Sequence, residues 1–167
     1  KEKISKSVEK LKSENLDLVF GDLEIVDENL NTIQESFNKY MKLERKIKKY
    51  INDYRLQYLY NCITGCTILS KKKYINKIVP LPAETKYIPH DYWIGLIVSL
   101  NGKVGYIEEK LIKYRQHGDN QIGIDKISHK FNKLEQVRNL FIDVKLGIFG
   151  AYVKNEKSFP DELKKQN

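Results

Sequence analysis

The segment from Pro89 to Tyr114 constrains the fold most, because its hydrophobic spacing changes from helical to extended. Four apolar residues recur at the spacing of one helix face, namely Trp93, Leu96, Ile97 and Leu100. The pair Asn101-Gly102 then supplies a stop, and two short apolar runs typical of strands follow at Val104 to Ile107 and Leu111 to Tyr114. A helix that leads directly into strands predicts an α/β fold.

Two side chains with acid–base chemistry lie at the ends of these elements. Asp91 stands where the N-cap of the helix is expected, and a helix N-terminus favours an ionised carboxylate. His117 follows the last strand, in a loop that contains Gly118 and Asn120. Such a carboxylate and imidazole, brought together, can deprotonate a hydroxyl beside a metal-bound phosphate.

The remaining elements are predicted from the same hydrophobic spacing. Before Pro89, helices are expected over residues 2–14 and 39–60, and a shorter one over 72–79. A further long helix is expected near the chain end, over residues 125–149. Strands are expected at Leu16 to Phe20, at Leu23 to Val26 after a break at Gly21-Asp22, and at Cys66 to Leu69. With 167 residues, the chain is long enough for one domain with a sizeable core.

Charge and cysteine content limit the classes of partner and site. The net charge of +8 and the pI of about 9.3 favour anionic partners, which include nucleic acid, anionic membranes and phosphorylated small molecules. The basic runs at 39–49 and 71–73 are expected on solvated faces. Two cysteines, Cys62 and Cys66, are too few for a disulfide scaffold or a four-ligand zinc site, so we expect free and mostly buried thiols. No apolar run is long enough to cross a bilayer.

Four motifs, in order, resemble a known family. They are Gly21 to Glu28, Thr64 to Thr67, His90 to Trp93 and Tyr114 to Asn120. Together they resemble the later half of bacterial family 2 glycosyltransferases, the rhamnosyltransferase-like branch of the GT-A fold. The fold implied is the C-terminal, acceptor-side part of a GT-A fold, a short mixed sheet packed with helices and followed by a long C-terminal helix.

The resemblance also implies a division of the chain and a missing part. Residues 1–124 would form the acceptor-side half of the GT-A domain, 125–154 a helical extension and 155–167 a polar tail. Members of the family begin with a nucleotide-binding half that ends in an aspartate-x-aspartate metal motif, and this tripeptide does not occur in the chain. We therefore expect the chain to be a piece that starts just after that motif and is inactive alone.

The resemblance implies a role for each candidate site residue. Asp91 would be the catalytic base on the acceptor hydroxyl, and His117 would be a ligand of Mg²⁺ or Mn²⁺ in the full-length enzyme. Asp22, Arg115 and Gln116 would contact the donor sugar or its diphosphate, since a guanidinium pairs with phosphate in a fork. The acceptor would be bound by Thr64, Gly65, His90 and Trp93. Structural roles remain open for these residues: a helix cap for Asp91, a turn for Asp22 and core packing for Trp93.

The function implied is transfer of a sugar, with rhamnose as the family example, from a nucleotide-sugar donor to a glycan or lipid-linked acceptor in surface polysaccharide synthesis. The partners implied are the donor, the acceptor and the missing N-terminal half, and a homodimer stays open. The expected location is cytoplasmic, with a peripheral position at the inner face of the plasma membrane left open. Nucleic acid is not expected as a partner, although a basic nucleic-acid-binding module without activity remains the alternative. A metal-dependent phosphohydrolase is a second rival, but only three histidines are present to serve it.

Overall fold

A computed structural model of the chain describes residues 2–79 and 89–117, which form helices around a small mixed sheet. The strands are β1 (Leu18–Val26), β2 (Thr32–Gln34), β3 (Leu69–Ser70) and β4 (Val104–Arg115). The helices are α1 (Glu2–Ser13), α2 (Phe37–Tyr40), α3 (Glu44–Tyr50), α4 (Tyr54–Leu59), α5 (Ile75–Ile78) and α6 (His90–Asn101). The predicted combination of a short mixed sheet and packed helices is confirmed. The predicted long helix at 125–149 and the divisions after residues 124 and 154 lie outside the described residues.

Strand β1 is the centre of the sheet. It pairs in parallel with β4 from Leu18 to Val26, and antiparallel with β3 at its start and with β2 at its end. Because β4 follows one edge of β1 along its whole length, β2 and β3 share the other edge.

Alternate residues of β1 belong to hydrophobic clusters on the two faces of the strand. Leu18 and Phe20 belong to the larger cluster, which includes Ile47 of α3, Leu56 of α4 and Trp93 of α6. Val19 packs in a second cluster with partly buried Leu11 of α1. Helices therefore cover both faces of the strand, and this explains why apolar residues of β1 lie on both faces.

The strand predictions were wrong in two places. Gly21 and Asp22 do not interrupt β1, because the buried Asp22 carboxylate accepts hydrogen bonds and so stays inside the sheet. The two short strands predicted at Val104 and Leu111 are one strand, β4. Its pairing register with β1 shifts on either side of Asp22, which marks bulges in the ladder rather than a break in the strand.

The single helix predicted over residues 39–60 is three short helices. Lys42 adopts a left-handed φ of 57° after α2, and this conformation ends a helix. The Asp53 side chain then accepts from the Arg55 amide at 3.0 Å and caps α4. Local side-chain capping thus overrides a hydrophobic period that is continuous along the sequence.

The segment predicted as a strand at Cys66 to Leu69 is mostly a 3₁₀ turn over Gly65–Thr67, and only Leu69 continues into β3. The helix predicted over 72–79 is confirmed as a 3₁₀ turn at Lys72–Tyr74 followed by α5. The first helix is also confirmed, as α1. Of the two thiols, Cys62 is buried as predicted, whereas Cys66 is exposed.

Asp17 fastens the start of β1 to two neighbouring segments. One carboxylate oxygen accepts from the Lys103 amide at 3.0 Å, and the other lies 2.7 Å from the ammonium of Lys73 and 3.4 Å from that of Lys71. Burial would raise the pKa of Asp17, but the hydrogen bonds from Lys73 and Lys103, with the two lysine charges, lower it to about 2. The carboxylate is therefore held ionised in the folded state.

The basic runs lie mainly on solvated faces, as predicted: Lys39, Lys42, Arg45, Lys48, Lys49, Lys72 and Lys73 are all exposed. Among the helices of residues 2–79 and 89–117, none is both long and apolar enough to cross a membrane.

Candidate active site

The Asp91 carboxylate lies in the first turn of α6 and reaches a loop from a distant part of the chain. One of its oxygens accepts the Gly65 N–H at 2.9 Å, and the other accepts the Tyr92 N–H at 2.8 Å. The side chain is partly exposed. A carboxylate has about four lone-pair positions, so two backbone donors orient this one and leave room for a further hydroxyl donor.

The prediction that Asp91 is the N-cap of the helix was wrong. The cap is Pro89, whose extended backbone, with φ −57° and ψ 142°, precedes the first helical residue, His90. Proline suits this end of a helix because its missing N–H would have no intrahelical acceptor. Asp91 is consequently inside the first turn, where the free amides and the helix dipole still favour a negative charge.

Gly65 lies against both side chains at the start of α6. A Cβ added there would stand 3.0 Å from His90 Nε2 and 3.3 Å from the Asp91 Cβ. The absence of a side chain therefore lets the Gly65 amide approach the carboxylate. The predicted base, Asp91, and two of the residues predicted to bind the acceptor, Gly65 and His90, are brought together in this way.

The turn that presents the Gly65 amide is held by Thr64 and Thr67. The Thr64 carbonyl accepts from both the backbone N–H of Thr67, at 2.9 Å, and its hydroxyl, at 2.7 Å. Thr64 thus lies next to the carboxylate in the fold, although its backbone, and not its hydroxyl, makes these contacts. These two hydrogen bonds within the turn hold its conformation, so the Gly65 amide is positioned before any ligand binds.

Lys3 of α1 also reaches this turn, which the sequence did not predict. Its ammonium donates to the carbonyl of Cys66 at 2.6 Å, across 63 positions of sequence. Lys3, Asp22 and Thr67 also line one small pocket. No motif marks Lys3, because a lysine in an amphipathic helix has the same sequence pattern whether it points to solvent or to a site.

Cys66 lies beside Asp91 but is not activated as a nucleophile. Partial burial is the main cause that raises the pKa of its thiol, and the Asp91 charge acts in the same direction while Lys3 opposes it. A thiol that is mostly protonated at neutral pH is a poor nucleophile. The group of Cys66, His90 and Asp91 therefore does not favour cysteine-based catalysis.

Asp22 is buried within β1 and not at a strand end. Its carboxylate accepts from the Leu23 amide at 2.9 Å, the Asn38 amide at 3.1 Å and the Ser36 hydroxyl at 2.5 Å. These contacts fasten the start of α2 to the central strand. The arrangement accounts for the aspartate structurally, and its predicted donor contact stays a prediction.

Arg115, Gln116 and His117 lie at the end of β4, next to the end of β1. Arg115 pairs with Val26 in the parallel ladder, and the Gln116 N–H donates to the Val26 carbonyl at 2.8 Å. Arg115 and His117 are exposed, whereas Gln116 is partly buried. At about 3.3 Å per residue, Asp22 lies about 13 Å back along β1 from this end. The prediction that His117 and Asp91 flank one cleft stays a prediction.

Trp93 lies in the core. Its ring is 3% exposed, and its indole N–H donates to the Ile78 carbonyl at 3.1 Å. The helical phase that it shares with Leu96 had indicated this role as an alternative to sugar stacking. A buried ring has no free face for a sugar, so Trp93 supports the site only by anchoring α6.

Within residues 2–79 and 89–117, no three His, Cys, Asp or Glu side chains are grouped closely enough to hold a metal ion. The metal role of His117 stays a prediction. Comparison of the chain with protein families, with curated proteins and with solved structures gives no match.

Proposed function

We propose that this chain is the acceptor-side part of an inverting family 2 glycosyltransferase, with Asp91 as its base. The supporting observation is the contact of the Asp91 carboxylate with the Gly65 amide, at 2.9 Å. It joins two of the four motifs that carry the resemblance, Thr64 to Thr67 and His90 to Trp93. The other two, Gly21 to Glu28 and Tyr114 to Asn120, are joined by the β1–β4 ladder.

The orientation of the carboxylate suits the removal of a proton from an acceptor. Two backbone amides fix both oxygens of Asp91, so the group need not reorganise when a hydroxyl binds. Its partial exposure leaves it accessible. His90, which lies next to Gly65 and is exposed, would contact the acceptor beside this carboxylate.

The proposed step moves one proton and one glycosyl group. Asp91 takes the proton from the acceptor hydroxyl. At the same time, the oxygen of that hydroxyl forms a bond to the anomeric carbon of the donor sugar. The bond from that carbon to the nucleoside diphosphate breaks, and its electron pair leaves with the phosphate oxygen. Attack from the face opposite the leaving group inverts the anomeric centre.

The donor side of the reaction extends the proposal to residues outside this contact. Arg115 and Gln116 would hold the diphosphate, and Mg²⁺ or Mn²⁺, with His117 as one ligand, would neutralise its charge. The sugar, with rhamnose as the family example, and the nucleotide are properties of the intact enzyme that the resemblance implies. The acceptor would be a glycan or a lipid-linked precursor of a surface polysaccharide.

The test replaces the base in the intact enzyme. Asp91→Asn should reduce transfer by about a thousandfold or more while leaving the affinity for the nucleotide sugar within about twofold, because the base acts on the acceptor and not on the donor. Glu35→Gln, at an exposed carboxylate that is not a candidate site residue, is the matched control and should keep wild-type turnover. Wild-type turnover in Asp91→Asn would remove Asp91 from this role.

One observation favours the alternative, a nucleic-acid-binding module. Tyr50 and Tyr60 are 44% and 40% exposed, and lysine ammonium groups stand over both rings. Exposed aromatics among cations are typical of surfaces that bind single-stranded nucleic acid. Steeply salt-dependent binding of an RNA oligonucleotide by this chain, with no transfer activity in the intact protein, would favour this function.

A further inference from the structure

A basic and aromatic surface lies on α3 and at the end of α4. Lys46, Lys49 and Tyr50 have the i, i+3, i+4 spacing that places them on one side of α3. Tyr60, the C-cap of α4, completes the surface. We call these four residues the tyrosine–lysine face.

The four side chains of the tyrosine–lysine face are paired with each other. The Lys46 ammonium stands 4.8 Å from the centre of the Tyr60 ring, and that of Lys49 stands 5.0 Å from the centre of the Tyr50 ring. Both rings are also exposed to solvent. Each pair therefore presents an apolar ring and a positive charge within a few ångströms of each other.

The cations of this face are not neutralised by carboxylates of the described residues. Lys48, which points to another side of α3, forms ion pairs with Glu44 and Glu108, at 3.2 and 2.9 Å. By contrast, no described ion pair includes Lys46 or Lys49. Among the described residues, no carboxylate therefore offsets the positive charge of the face.

The face is connected to the candidate active site through α4. The Tyr92 hydroxyl of α6 donates to the Tyr58 carbonyl at 3.0 Å, and this bond holds the end of α4 against the first turn of α6. Tyr60 follows two residues later, and Gly65 lies five positions further along the chain. A chain of five residues spans at most about 18 Å, so Tyr60 lies within that distance of the amide that Asp91 binds.

We propose that the tyrosine–lysine face binds an acidic glycan, so that the acceptor of this enzyme is a saccharide chain that carries carboxylate or phosphodiester groups. The tyrosine rings pack against the apolar faces of sugar rings, and Lys46 and Lys49 pair with the anionic groups. The end of the glycan then reaches Asp91. This inference rests on the proposed function, because the position of the face next to the proposed base favours a glycan over a nucleic acid.

The experiment measures binding of defined oligosaccharides to this 167-residue chain by titration calorimetry at low and at moderate salt. The probes are an oligogalacturonate, a neutral dextran oligosaccharide of the same length and an oligo(U) RNA. We expect the oligogalacturonate to bind at least about tenfold more tightly than the dextran, and its affinity to fall as salt rises. Comparable affinity for the two saccharides, or binding of neither, would overturn the proposal.

Variants assign the binding to the face. The double variant Lys46→Gln/Lys49→Gln should weaken oligogalacturonate binding about five- to tenfold. The control, Lys12→Gln/Lys72→Gln, removes the same charge from exposed positions elsewhere and should stay within about twofold of wild type. Equal losses of oligogalacturonate affinity in both double variants would show a general charge effect and would refute binding at the tyrosine–lysine face. Tyr60→Ala should also weaken binding while the circular dichroism spectrum keeps its wild-type form.

Two further results distinguish glycan binding by the face from nucleic-acid binding and from the proposed role of Asp91. Tighter binding of oligo(U) than of oligogalacturonate, lost in Lys46→Gln/Lys49→Gln, would replace the glycan with a nucleic acid. If the intact Asp91→Asn enzyme still transfers sugar, the proposed base fails while the binding result stands.

Discussion

Replacement of Asp17 by Asn should destabilise the fold by an amount that depends on pH. The carboxylate side chain is 11% exposed and faces two lysines, with Lys73 at 2.7 Å and Lys71 at 3.4 Å. Its hydrogen bond from the Lys103 amide ties the start of β1 to the turn before β4. Asparagine keeps one acceptor oxygen but loses the charge, so both ion pairs lose their attraction.

The magnitude follows from the pKa of Asp17. A lowering of this pKa from 3.8 to about 2 corresponds to about 2 kcal/mol of unfolding free energy, at about 1.4 kcal/mol per pKa unit. Because the folded-state pKa lies below the unfolded-state value, the carboxylate stabilises the fold above pH 4. This contribution is lost as pH falls from about 4 to about 2 and the group becomes protonated.

The assay is urea unfolding of wild type and Asp17→Asn at pH 7, 5, 3.5 and 2.5, followed by circular dichroism. The difference in unfolding free energy should be about 2 kcal/mol at pH 7 and should shrink steadily below pH 4. Glu14→Gln, which breaks the exposed Lys10–Glu14 pair, is the control and should cost less than about 0.5 kcal/mol. A difference for Asp17→Asn that is the same at pH 7 and pH 2.5 would refute the electrostatic reasoning.

Three further perturbations test the site and the core. Gly65→Val should slow transfer by the intact enzyme about tenfold or more, because its side chain would displace the neighbouring imidazole and carboxylate; an unchanged initial rate would contradict the packing. Trp93→Phe should lower the unfolding free energy by about 1–3 kcal/mol in urea, since the buried Ile78 carbonyl loses its donor, and a loss below about 0.5 kcal/mol would argue against that bond. Ellman's reagent should modify the exposed Cys66 in the native chain, at a rate that still rises above pH 9 because the pKa of this thiol is raised. Cys62 should react only after unfolding, since it is buried and burial raises its pKa to about 12. Modification of both thiols in the native chain would place Cys62 at the surface.

The elements that follow a long and uninterrupted pattern were predictable. Helix α6 has its predicted face of Trp93 and Leu96 and its predicted end at Gly102, because both depend on residues within a few positions. Helix α1 agrees for the same reason. The helix predicted over 39–60 failed because a hydrophobic period does not register the cap at Asp53 or the left-handed turn at Lys42.

In the candidate site, too, some features were predictable from the sequence and others were not. The sequence motifs selected Gly65, His90 and Asp91, which the fold brings into contact. The motifs also included Asp22, but they could not distinguish a carboxylate that binds a ligand from one that fastens α2 to a strand. That distinction depends on Asn38, 16 positions further along the chain, and is therefore a property of the fold.

The sequence by itself determined the mixed α/β class, the exposed basic runs and the short list of residues with acid–base chemistry, because composition and local spacing suffice for these. The tertiary structure alone decided that β1 and β4 are continuous strands, that Lys3 reaches the turn at Cys66, and that the Lys46 ammonium stands over the Tyr60 ring. These features join residues that are far apart in sequence. Their contacts form only when packing on both faces of β1 brings the segments together, and no local pattern encodes that arrangement.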